Sequence, residues 1–428
     1  MPRNETPGVS RRDFARLVAL TGWIPWAMHA DTAWAQAPAV PSAPASPDEN
    51  YWRKVREQFL MPRDLGVMNA ANLCPSSAPV LQALYDITKD MDANPSPQNR
   101  RKLSEGKEAT RKALADFFRV TPDEIVITRN TSEANNTVSS GLDLKAGDEV
   151  LIFADNHPSN NVAWKTKAER FGFTVRDLAV PNPHPGAEYY IDVVTKAITS
   201  RTKLIAISHV TNTNGDVFPA KEICRVARER GVLSLVDGAQ SFGLLDVDLS
   251  DMQPDFYTGS GHKWPCGPKE VGVLYVNKKM TTKLWPSILS AGSGPIGISK
   301  VVESYGQRDE PAIMAFAEAL KFQTTIGRKA IEARSRELAQ HFMEGLSKID
   351  GVKIPTHRDP ARSVATFRFL HSMNGQKLAT ALYENDRLAF MGGGSSVRVS
   401  PHFFNMHEEV DRAVAAIKRY AAGGLGTA

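Results

Sequence analysis

Asp237 closes the apolar run Val232-Leu233-Ser234-Leu235-Val236, and Lys263 closes the later stretch Tyr257-Thr258-Gly259-Ser260-Gly261-His262-Lys263. A lysine amine after one buried strand and a carboxylate at the end of its neighbour suit one chemistry in particular. The amine is the attachment point for the aldehyde of pyridoxal 5'-phosphate, and the aspartate keeps the pyridine nitrogen protonated. The ring then acts as an electron sink that acidifies the Cα–H bond of an amino acid. Most of the 52 Lys and Arg residues are solvated charges, and Gly-His-Lys alone would be weak evidence. Its place after Asp237-Gly238-Ala239-Gln240, on an alternating strand and helix pattern, favours the cofactor role for Lys263 and Asp237.

The elements that position these groups follow from the apolar runs. Val150-Leu151-Ile152-Phe153-Ala154, Leu204-Ile205-Ala206-Ile207-Ser208 and Val232–Val236 are short and apolar, and helical segments such as Pro219 to Arg230 separate them. This alternation predicts an α/β fold with a mainly parallel central sheet covered on both faces. Ligands in such sheets bind beyond the carboxyl ends of the strands. Thr131 and Ser132 follow the strand-like Ile125 to Thr128 and open a helix, where backbone N–H groups can cradle a phosphate or serve an ordinary cap. His157 follows the run Val150–Ala154, and its imidazole can move protons near neutral pH. Arg398 can clamp a substrate α-carboxylate through a bidentate fork, although an exposed strand arginine is the plainer alternative. Around Pro311 a long helical pattern runs towards Lys348 and predicts a connector into a smaller C-terminal α+β domain. The expected divisions are a segment 51–75 against the small domain, a large domain 76–310 and a small domain 311–428.

A chain of 428 residues with 42% hydrophobic and 23% charged residues is ordinary for a globular enzyme, and a net charge of +5 argues for neither nucleic acid nor a membrane surface, so no nucleic-acid partner is expected. Cys74, Cys224 and Cys266 have no metal-binding spacing. Ser10-Arg11-Arg12-Asp13-Phe14 precedes a moderately apolar stretch, and Ala33-Trp34-Ala35 offers a cleavage site. Residues 1–35 thus have the form of a twin-arginine (Tat) signal, with 36–50 as an Ala-, Pro- and Ser-rich linker. The expected partner is the Tat export machinery and the expected location the periplasm. The apolar stretch is short and interrupted by Pro25, which argues against stable membrane insertion.

Taken together, Arg129-Asn130-Thr131-Ser132-Glu133-Ala134-Asn135, Ile207-Ser208-His209-Val210-Thr211-Asn212, Asp237-Gly238-Ala239-Gln240, Ser260-Gly261-His262-Lys263 and Val397-Arg398-Val399-Ser400-Pro401 resemble the class V aminotransferases, fold-type I pyridoxal phosphate enzymes. The resemblance runs from about Met68 to the C-terminus. It implies that Ser260 and His262 join Thr131 and Ser132 at the phosphate and that His157 stacks on the ring. It also implies that Asn212 and Gln240 direct side-chain amides at the ring oxygen or substrate, and that Asn72 reaches the substrate pocket. A homodimer is implied as well, with Ala291 to Gly297 as the segment offered to the partner's phosphate site. Cysteine desulfurases of this group need a thiolate near the carboxylate arginine, and Phe390 to Phe404 contains no cysteine. The stretch from Arg398 to Asn405 is closer to the isopenicillin N epimerase branch. The resemblance implies transamination or a related amino-group conversion, epimerisation from the same residues being the alternative and a non-catalytic scaffold a third. The export signal with this branch also resembles periplasmic tailoring of pyoverdine siderophores, so the expected substrate is a small molecule or the glutamyl group of a peptide siderophore.

Overall fold

The computed structural model describes residues 41–290 and 294–425. The twin-arginine signal, the first part of the linker and residues 291–293 of the glycine-rich segment lie outside the described residues. Within them, Asp48 accepts from Tyr51 N at 2.9 Å and caps a helix over Glu49–Arg56. Regular structure therefore starts two residues inside the expected linker.

Seven strands form the central sheet: β1 (Ile125–Thr128), β2 (Glu149–Phe153), β3 (Thr174–Leu178), β4 (Thr202–Ser208), β5 (Leu233–Asp237), β6 (Phe256–Ser260) and β7 (Gly272–Val276). Their order is β1-β7-β6-β5-β4-β2-β3. β7 runs antiparallel to both its neighbours, and all other pairings are parallel. The expected apolar runs fall on β2, β4 and β5, whose interiors are buried because helices cover both faces. The order reverses between β2 and β4, which opens a crevice at their carboxyl ends.

The edge strand β1 leads directly into the candidate phosphate cradle, and a buried ion pair holds it. Glu303 receives Arg111 Nη1 at 2.7 Å and Nη2 at 3.2 Å, and also accepts from Ile127 N at 3.0 Å. Arg111 in turn donates to Ile125 O at 2.9 Å. Removing Glu303 leaves the buried Arg111 with Glu108, 3.0 Å from its Nε, as the remaining acid partner and takes the acceptor from Ile127 N. Glu303→Ala is expected to destabilise the protein by about 3–5 kcal/mol, measured as a lowered denaturant midpoint.

The expected connector from Pro311 to Lys348 is two helices, α3 and α4 in chain order after α1 (Thr131–Gly141) and α2 (Pro158–Phe171); they span Glu310–Ile326 and Arg328–Leu346. Gly327 separates them at φ 104°, a conformation that a side chain would strain. Phe316, Leu320 and Ile326 of α3 join the main core, whereas Leu338, Phe342 and Leu346 of α4 belong to a second core with Phe367, Val397 and Ile417. Ile331, in the first turn of α4, still packs in the main core, so the change of core falls within α4 between Ile331 and Leu338. The second core backs a small antiparallel sheet of β8 (Phe367–Leu370), β9 (Met391–Gly393) and β10 (Ser396–Val399), ordered β9-β10-β8. The segment 51–75 is shared between the cores. Tyr51, Trp52 and Val55 pack in the large one, and Met68 in the small one. Gly66 and Val67 pair with Leu388 and Ala389.

Candidate active site

The cradle is built first. Asn130 caps α1 by accepting from Glu133 N at 3.0 Å. Thr131 N donates to Ser260 Oγ at 2.9 Å, and the two hydroxyls lie 2.8 Å apart, which ties the helix start to the end of β6. The N–H of Ser132 and the ring of His262 have no hydrogen-bond partner among the described residues. Both line a cavity of about 190 Å³ with Thr131, Ser260, His157, Asp237 and Lys263. Burial, then Lys263 and Lys269, push the His262 imidazole down to about 4, so at neutral pH it is an uncharged donor. Unused donors at a helix start fit an anion such as a phosphate.

Asp237 stands at the far wall. Its carboxylate accepts from Asn135 Nδ2 at 2.9 Å and Ala239 N at 3.0 Å, and Asn135 Oδ1 accepts from Thr258 Oγ1 at 2.9 Å. Asn135 projects from α1 onto the strand ends and fixes the carboxylate plane. Gly238 follows because a Cβ there would lie 2.0 Å from Tyr257 Cζ.

Lys263 sits in a tight turn after β6, where Cys266 N donates to Lys263 O at 2.9 Å. The next residue, Trp264, is locked on three sides. Its Nε1 donates to Gln240 Oε1 at 2.8 Å, and its carbonyl accepts from Gln323 Nε2 at 2.6 Å and faces His402 Nε2 at 2.8 Å. The lysine Nζ has no hydrogen bond or ion pair among the described residues. Burial lowers its pKa, and Asp237 works against that shift while Arg398 adds to it. A lowered amine pKa leaves more of the neutral, nucleophilic form.

His157 closes the other side. Asn156 carries the chain out of the sheet by donating to Ala206 O at 2.9 Å and accepting from Ser208 N at 2.8 Å. His157 Nδ1 accepts from Ser159 N at 3.2 Å, so in the neutral ring the proton is on Nε2. Burial, then the charge of Lys263, lower the His157 pKa, with Asp237 opposing.

Arg398, on β10, donates to Asn212 O at 3.2 Å and Asn69 Oδ1 at 3.1 Å. Its Nε is buried without a partner, and it has no acid partner among the described residues. It meets Asn212 through the backbone carbonyl, which leaves the Asn212 side-chain amide without a hydrogen bond among the described residues. Gln240 uses its amide on Ala71 O at 3.0 Å and on Trp264, so one Nε2 hydrogen is left for a ligand. Asn72 lies exposed in a turn whose N–H bonds Asn69 O at 3.0 Å. Asn69 is the residue of that segment that reaches the arginine, three positions earlier because the turn reverses the chain.

These groups fit pyridoxal phosphate. Ser132, Thr131, Ser260 and His262 would hold its phosphate, Asp237 its ring nitrogen, Lys263 its aldehyde carbon, and His157 its ring face. When bound, the cofactor supplies an electron sink for charge developing at the substrate Cα. The protein's own residues then have distinct tasks. Arg398 would orient a carboxylate, Lys263 would accept or return a proton at Cα, and His157 would present an N–H from its Nε2.

Residues 70–419 match the family described as aminotransferase class-V. The chain is 30% identical over 390 residues to an isopenicillin N epimerase of Amycolatopsis lactamdurans, covering 86% of this chain and 98% of that protein. It is 28% identical over 403 residues to a probable cysteine desulfurase of Methanothermobacter thermautotrophicus, covering 86% and 98% respectively. Its fold is similar to that of the cysteine desulfurase of Thermococcus onnurineus, with a TM-score of 0.80 at 23% identity over 89% of this chain and 100% of the other. The chain therefore belongs to the class-V aminotransferase family of fold-type I pyridoxal phosphate enzymes.

Proposed function

We propose that the protein converts the amino group of an amino acid or glutamyl substrate, by transamination or oxidative deamination. The observation that carries this reading is Arg398: a largely buried guanidinium with no acid partner among the described residues, whose charge acts on a lysine amine that is itself unpaired. A carboxylate on the substrate completes the first and an α-amino group approaches the second. Two further features extend the proposal. The Ser10-Arg11-Arg12 signal supports periplasmic action after Tat export, with a pyoverdine-type glutamyl siderophore as the substrate. The exposed Trp285, Ile288 and Leu289, close to α1, support a homodimer.

Epimerisation is the second reading, and it rests on the relatives that are named isopenicillin N epimerase. Persulfide chemistry has no support at the site. Burial pushes the Cys224 thiol up to about 12 and raises that of Cys266 as well, and Cys74 is also buried. One titration separates the readings. The cofactor-loaded protein is mixed with L-glutamate or a glutamyl siderophore precursor while visible absorbance and products are followed. Amino-group removal gives an oxo product by mass spectrometry. Exchange of the α-hydrogen in heavy water without an oxo product would instead establish the epimerase reading.

A further inference from the structure

Arg398 has a neighbour of the same kind. Across the antiparallel ladder of β10 and β8 it pairs directly with Arg368, and residues paired in this way project from the same face, with Cβ atoms about 5 Å apart. Like charges placed so repel each other unless an anion lies between or beyond them. The Arg368 guanidinium makes no hydrogen bond, and no ion pair within 4 Å, among the described residues, and its Nε is buried without a partner. Only its backbone is engaged, the N–H donating to Thr356 Oγ1 at 3.2 Å.

The face it shares with Arg398 is the substrate side. Arg398 is turned towards Asn69 and Asn212. The carboxylates that sense Arg368 are Asp155, two residues before His157, and Asp216, on the loop after β4. Burial raises both, Asp216 to about 7. Asp216 therefore does not supply a full negative charge against the two arginines. The site is left with an excess of positive charge arranged in two forks.

We propose that Arg368 is a specificity-determining residue: Arg398 takes the α-carboxylate and Arg368 a second, distal carboxylate, so the preferred substrate is a free dicarboxylic amino acid, over a glutamyl group joined through one of its carboxylates. This rests on the carboxylate-binding reading of Arg398 and narrows it.

The test uses the cofactor-loaded protein and calorimetric titration with glutarate and butyrate, which differ by one carboxylate. The protein is expected to bind glutarate at least about 10-fold more tightly, as one added charge-assisted contact implies. Arg368→Gln should collapse that ratio towards one, and Arg368→Lys should recover part of it. Recovery in the lysine variant separates a lost contact from a damaged fold. A ratio that is the same in the parent and in Arg368→Gln overturns the proposal, as does the absence of any preference in the parent. If butyrate binding still requires Arg398, only the role of Arg368 has failed. If neither acid binds, the reading of Arg398 fails with it.

Discussion

A Lys263→Ala variant is expected to fold, to keep the cofactor without a covalent link, and to lose activity by about four orders of magnitude or more. The size follows from two roles removed together. One is the nucleophile that fixes the cofactor. The other is a positioned acid–base group, which alone contributes about 10²–10⁴-fold. The fold should survive because little of the turn depends on the lysine side chain. Trp264 is held by Gln240, Gln323 and His402, and the turn closes through Cys266 N to Lys263 O. The Nζ itself makes no hydrogen bond among the described residues. Borohydride reduction followed by intact mass gives the direct readout. The parent should retain the cofactor mass after denaturation, and the variant should not. Equal retention in both would mean that another amine holds the cofactor, and the assignment of Lys263 would be withdrawn. A Lys263→Ala variant that kept full biological function would support a non-catalytic scaffold role instead.

What was legible in the sequence divides along physical lines. Lys263, Asp237 and Arg398 stood out because their chemistry resides in the residue type and each follows or lies within an apolar run. The parallel strands β2, β4 and β5 were legible because strands buried on both faces are continuously apolar. The edge strand β3 was not, since Thr174-Val175-Arg176-Asp177-Leu178 is largely solvent-facing and polar. The reversed direction of β7 leaves no trace in composition, because Val273, Leu274 and Tyr275 would be buried in either orientation. Asn135 and Asn156 escaped notice as positioning residues because a buried asparagine resembles a turn or cap until its partners are known. The choice between Asn69 and Asn72 depends on one turn, in which Asn72 N and Leu73 N both bond Asn69 O. Only the folded chain decides which amide faces the arginine. The break between α3 and α4 was illegible for a related reason: they are continuous in helical pattern, and only the folded chain shows the glycine at φ 104° and the change of core after Ile331.

Arg398→Gln is expected to lower kcat/KM by about 10²–10³ for amino acid substrates, as the loss of a buried, charge-assisted carboxylate contact implies. Glutamine keeps the stem and one amide donor group but ends two bonds short of the Nη atoms that reach Asn212 O and Asn69 Oδ1. It lacks the second donor and the charge. Arg398→Lys should recover only part of the loss, because an ammonium cannot reproduce the two parallel hydrogen bonds of the fork. The effect should fall on recognition. Rates with an amine that lacks the carboxylate should change by less than about threefold, while those with the parent amino acid fall by the full factor. If both substrates lose equally, Arg398 acts by holding the small sheet against the N-terminal segment, and an Asn69→Ala variant should then reproduce the loss. If only the carboxylate-bearing substrate suffers, the guanidinium binds it directly. The buried Nε and the absence of an acid partner among the described residues favour that outcome, since a structural arginine at this depth would be paired within the protein.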